Sequence, residues 1–180
     1  MLYRDLYAEE VQDRELLRSA VSIPLALLTI LGSGIAYLFR GLPVAPDTLL
    51  GCWHTIALAG AALAFCIAAV FLIMSYHGHV YERVPSPNQI KTYEEALNIY
   101  HGSSEAGRAE ATATFQSFLR SRYTEAADRN MYTNIKRSAY LYRANAAVIA
   151  CLVLAALAVP PHIILASRQS MIPAQRTDCH

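Results

Sequence analysis

The chain has 180 residues, of which 54% are hydrophobic and 16% charged, with a formal net charge of +1 and a mean hydropathy of +0.26. That length suits one domain. Charges that avoid long apolar runs and crowd into the remainder exclude an ordinary soluble domain and point to a membrane protein with a water-exposed part. Four cysteines do not make a disulfide scaffold: Cys66 and Cys151 fall in apolar runs as small hydrophobes, while Cys52 and Cys179 share an expected extracytoplasmic side, with Cys179 placed in a tail that argues against a bridge.

Residues 1–18 read as an amphipathic helix, with Leu2, Leu6, Leu16 and Leu17 set among five acids and three arginines. It is expected on the cytosolic membrane surface, or docked on a basic stripe further along the chain. Charges throughout this segment, and the lack of a small-residue cleavage pattern after the next run, argue against a signal peptide. Residues 19–39 carry no charge over a length of about 30 Å as a helix, enough for a first span. Pro24 either starts this span or kinks it, and Gly32-Ser33-Gly34 permits close helix approach. A breaker-rich turn from Arg40 to Asp47 leads to a second span at 49–76, with Trp53 near its start. Ala57, Ala61, Ala64 and Ala68 fall on one face of it, for contacts inside a bundle or between subunits.

Residues 77–143 are the expected cytosolic sensing region. Pro85-Ser86-Pro87 breaks the chain, a short helix covers Asn88 to Tyr100, and Ser104 caps a long helix from Gly107 to Ala166, single or in two pieces end to end. Arg122, Arg129, Lys136 and Arg143 lie seven residues apart on it, forming a stripe that drifts by only ~20° per step. Cations just inside a membrane are expected from anionic headgroups, which accounts for Lys136, Arg137 and Arg143. Arg120, Arg122 and Arg129 lie ~20–35 Å further along a straight helix and need another reason. With Tyr132 and Tyr140 beside them, these residues (Arg120, Arg122, Arg129, Tyr132, Lys136, Arg137, Tyr140, Arg143) form a candidate site for a nucleotide or a single-stranded oligonucleotide, set against a merely solvated surface. The third span is placed at 144–166, where Ala144, Ala147, Cys151, Ala155 and Ala158 make a second small-residue face. Asn145, the one strongly polar side chain of this span, reads either as an interhelical hydrogen bond or, with Ile149 and Leu152, as pore lining. Pro160-Pro161 is expected to kink its last turn or take it out of the bilayer, and 167–180 reads as an extracytoplasmic tail.

The fold expected is therefore all-α: three spans, a cytosolic helical region between the second and third, and a last helix continuous into span three. With the N-terminus inside, Arg4, Arg14, Arg18 and the nine basic residues from Arg83 to Arg143 lie in the cytosol, against Arg40, Arg168 and Arg176 outside. The positive-inside rule then puts the N-terminus in the cytoplasm and the C-terminus outside.

Enzyme chemistry finds no support. There is no phosphate loop, nucleophile elbow, His-Glu-x-x-His or kinase signature. Glu94 and Glu95 are adjacent and so point ~100° apart on a helix. His77, His79 and His101 are metal candidates, but histidines at a membrane exit without Cys or carboxylate at ligand spacing suit the headgroup region better, and no cofactor is expected.

The run Tyr123-Thr-Glu-Ala-Ala-Asp-Arg-Asn130, followed by Asn134-Ile-Lys-Arg-Ser-Ala-Tyr-Leu-Tyr-Arg-Ala-Asn145 entering the third span, resembles the small helical transmembrane effectors of bacterial anti-phage defence, CBASS-like or Hailong-type. The resemblance covers the organisation of most of the chain. It implies a homo-oligomeric channel in the bacterial inner membrane, gated by a nucleotide or oligonucleotide from a cytosolic nucleotide-synthesising partner. The alternative is a non-conducting membrane adaptor that recruits a soluble protein through its cytosolic helices.

Overall fold

The computed structural model describes residues 2–40 and 48–170. Among these every regular element is a helix: α1 Leu2–Ala20, α2 Ser22–Arg40, α3 Leu49–Tyr76, α4 Pro87–His101 and α5 Glu105–Ser170. The turn at 41–47 and the tail beyond residue 170, with Arg176 and Cys179, lie outside the described residues. Two compact units partition the chain. Unit one holds α1 up to Ser19, the segment from Gly78, α4, and α5 as far as Arg137; unit two holds α2, α3 and α5 from Ser138.

Three helical stretches are long and apolar enough to cross a membrane: Arg4–Arg40, Leu49–Tyr76 and Glu105–Ser167. Local chemistry sets their ends. Pro24 is the third residue of α2, inside a first turn whose N–H groups have no helical partner, so its missing donor does no harm there. It starts the span, and the single turn residue Val21 separates α1 from α2. Thr48 caps α3 by accepting from the Gly51 N–H at 3.1 Å. Pro160 and Pro161 are both inside α5, which continues to Ser170 and does not end at the proline pair.

Unit two buries large and small side chains together: Leu28, Leu31, Ile35 and Leu38 of α2 and Leu58 and Leu72 of α3 are covered, and beside them the small residues Ala61, Ala68, Ala144, Cys151 and Ala158 are completely covered, with Ala57 and Ala64 nearly so. An added Cβ on Gly32 would sit 3.2 Å from the Phe65 ring, and one on Gly60 3.3 Å from Leu154. Other large aliphatics, such as Ile23, Ile30, Ile56, Leu63, Ile149 and Leu152, are exposed. In water such a surface invites aggregation; in lipid tails it is neutral, and close backbone approach supplies the cohesion. The distribution is compatible with helices that cross a membrane.

In unit one, α4 begins with a full capping box: Ser86 Oγ accepts from the Gln89 N–H, and Gln89 Oε1 accepts from the Ser86 N–H at 2.9 Å, with Pro87 at the first helical position. Gly102 ends it with φ +76, a conformation glycine adopts without strain. Ser104 Oγ then accepts from the Gly107 N–H at 3.1 Å and opens α5. Tyr93 of α4 packs on Phe118 of α5 with ring centroids 4.3 Å apart.

Candidate functional site

The lower half of α5 has two chemically distinct faces. One is a row of buried polar side chains at helical spacing, Asn130, Asn134 and Arg137, each less than a tenth exposed. The other carries the exposed cations.

The buried row grips segment 78–86, which has no helix of its own. Asn130 treats Glu82 as a neighbouring strand would: its Oδ1 accepts from the Glu82 N–H at 3.0 Å, and its Nδ2 donates to the Glu82 carbonyl at 3.2 Å. Tyr81 is the hub. Its hydroxyl donates to Asn134 Oδ1 at 2.7 Å and accepts from Arg137 Nη1 at 2.6 Å, while the Arg14 guanidinium lies 4.7 Å from its ring centroid. Asn134 Nδ2 also donates to the backbone carbonyl and the carboxylate of Glu10, at 3.0 and 2.9 Å. Tyr7 meets Tyr123 edge-on at 5.8 Å. So α1 does dock on α5, and on its buried polar row.

Among the predicted ligand-binding residues, Arg120, Arg122, Arg129, Tyr132 and Lys136 are exposed in unit one. Two of these arginines are already compensated. Arg122 Nη1 lies 3.4 Å from Glu125 Oε2, whereas Arg129 bridges Glu125 Oε1 and Glu82 Oε2, both at 3.0 Å. Arg122, Arg83, Glu82 and Glu125 line a cleft of about 220 Å³ together with Pro85 and Gln89. Arg120 and Arg129 border an open depression with Ser117, Ser121, Thr124 and Asp128. Arg137 departs from the exposed set: it is 5% exposed and engaged by Tyr81. One residue beyond Lys136 turns a side chain by ~100°, which carries Arg137 off the stripe and onto the buried row.

The remaining predicted residues belong to unit two. Tyr140 stacks on Phe71 with centroids 6.4 Å apart, and the Arg143 guanidinium lies 5.9 Å from the same ring. An aromatic pair with a cation suits a membrane interface. Asn145, Ile149 and Leu152 are all exposed at i, i+4 and i+7 of one α5 face. Asn145 is therefore available to lipid headgroups or to another chain.

Sequence reasoning missed Tyr81, Glu82, Asn130 and Asn134. The signal was present: Asn130, Asn134 and Arg137 repeat at the four-and-three spacing continued by Leu141, Ala144, Val148 and Cys151, all buried. The arrangement can hold an anion on arginines whose intrachain partners are exchangeable carboxylates. No family model, no curated protein and no solved structure matches the chain.

Proposed function

We propose that the protein is a homo-oligomeric channel of the bacterial inner membrane, gated by a nucleotide or short single-stranded oligonucleotide, and acting in anti-phage defence with a partner enzyme that makes the ligand. The N-terminus is cytoplasmic and the C-terminus extracytoplasmic, in keeping with the excess of Lys and Arg between Arg83 and Arg143.

The observation that carries this reading is the single helix α5, which runs unbroken from Glu105 to Ser170. One half bears exposed cations and the other is an apolar span, so an anion that engages the first acts on the element that crosses the bilayer. Arg122 and Arg129 rest on Glu82 and Glu125, and a polyphosphate that captures the arginines releases those carboxylates. The ligand then favours one arrangement by its difference in affinity for the two. A shift from 1:99 to 99:1 takes about 5.5 kcal/mol, which several subunits share. Three spans in one copy cannot enclose a water path, and the exposed face of Asn145, Ile149 and Leu152 is the surface offered to neighbouring copies around a pore.

The test is ion flux from liposomes carrying the purified protein, with and without short oligonucleotides. Ligand-dependent flux that disappears in the double variant Arg122→Glu/Arg129→Glu, with membrane insertion intact, supports the channel. No flux under any ligand refutes it. Loss of only a co-purifying soluble protein in the same variant favours the adaptor.

A further inference from the structure

Within unit two, two histidines from distant parts of the sequence meet near the Leu49 end of α3. His54 is completely buried, and His162 of α5 stands beside it with ring centroids 5.4 Å apart and planes tilted by 31°. His54 Nδ1 lies 2.9 Å from the Ala158 carbonyl oxygen. A carbonyl only accepts, so Nδ1 carries the proton and, in the neutral ring, Nε2 presents its lone pair. That Nε2 is buried without a partner, and so is Nδ1 of His162. Two orphaned nitrogens on neighbouring rings in an apolar bundle call for a guest.

We infer that His54 Nε2 and His162 Nδ1 form a binding site for a divalent transition-metal ion of the zinc or nickel class. Three considerations favour this guest. First, an imidazole whose second nitrogen donates to a backbone carbonyl is the arrangement that fixes the tautomer of metal-bound histidine. Second, the spacing fits. With metal–nitrogen bonds of about 2.0–2.1 Å and ring nitrogens roughly 1.1 Å from their centroids, two imidazoles on one tetrahedral ion stand with centroids about 5 Å apart. A bridging water, at about 2.9 Å from each nitrogen, spreads aligned rings to roughly 6.5 Å. A direct N–H···N bond is not made, since both nitrogens lack a partner. Third, His54 is the sixth residue of α3, only about 7.5 Å from the helix start and within reach of the aqueous boundary.

Among the described residues no three or more His, Cys, Asp and Glu side chains come together for a metal. With two protein ligands the site binds more weakly than a closed structural site of four. Tyr37, edge-on to His162 at a centroid distance of 6.1 Å, helps fix the His162 ring.

The chain's single tryptophan, Trp53, adjoins His54 and reports directly on the site. Tag-free protein in detergent micelles is titrated with Ni²⁺ while Trp53 fluorescence is followed. The expected result is saturable quenching at one ion per chain, reversed by Zn²⁺, with the midpoint raised at least about tenfold in His54→Gln and in His162→Gln. Replacement of His77 and His79 by alanine leaves the midpoint unchanged, since they lie more than twenty residues further along the chain. His162 is only partly buried, so His162→Gln, with helicity checked by circular dichroism, decides the matter if His54→Gln does not fold. No saturable quenching in the wild type, or an unchanged midpoint in folded His162→Gln, overturns the assignment. Neither outcome depends on whether the protein conducts ions.

Discussion

Glu125 competes directly with any anion that approaches the cationic face, and neutralising it tests the site without touching a cation. Its two oxygens hold Arg122 at 3.4 Å and Arg129 at 3.0 Å. All three side chains are more than a third exposed, so solvent screens each pair to about 0.2–1 kcal/mol. Glu125→Gln removes both pairs, together about 0.4–2 kcal/mol that a bound anion no longer has to displace, and a tenfold change corresponds to about 1.4 kcal/mol. The variant should therefore bind a fluorescently labelled single-stranded oligonucleotide about 2- to 30-fold more tightly. Anisotropy titrations of the detergent-solubilised protein measure this, and the gain should shrink as salt is raised through about 0.15 M, where the screening length falls to about 8 Å. Glu95→Gln, which removes an exposed partner of Lys91 on α4, serves as the control and should leave affinity nearly unchanged. Equal or weaker binding by Glu125→Gln would remove Arg122 and Arg129 from the ligand site.

Three further outcomes follow from packing and hydrogen bonding. Tyr81→Phe deletes the hydroxyl shared by Asn134 and Arg137; because Arg137 keeps another contact, the loss should be about 2–3 kcal/mol, read as faster amide exchange across residues 78–86. Gly107→Ala would place a Cβ on the His101 carbonyl oxygen, so the turn between α4 and α5 must move, at about 1–3 kcal/mol; limited proteolysis between residues 101 and 104 should accelerate. Ala61→Leu forces a large side chain into a completely covered position and should lower stability by about 1–3 kcal/mol, seen as an earlier melting transition in detergent.

The apolar spans are legible because apolar length is a local property, and so is the Ser104 cap, which acts on an amide three residues away; Ser86 reads from sequence as part of a proline break and proves to cap α4. The alanine faces were legible as contact surfaces. Whether another span or another subunit covers them depends on partners remote in sequence, and α3 and α5 supply them within unit two. Lys136 of the seven-residue stripe is exposed, yet charge alone does not show that Arg122 and Arg129 are matched by Glu82 and Glu125. Glu82 is forty-seven residues from Arg129, and only the path of segment 78–86 brings it there. Arg137 was grouped by charge where helical angle would have placed it with Asn130 and Asn134. His162 is not legible as part of a site because its partner, His54, lies on another helix.

The covered alanines and exposed aliphatics of unit two change the usual map of which positions tolerate change. In a water-soluble domain the outward residues drift freely among polar types while buried leucines and phenylalanines resist replacement. Here the outward positions, such as Ile56, Leu63 and Ile149, should interchange freely among bulky apolar types. The alanines at 61, 68, 144 and 158 leave no room for a heavier side chain, so in a saturation library they should resist replacement as strongly as the covered leucines at 28, 58 and 72.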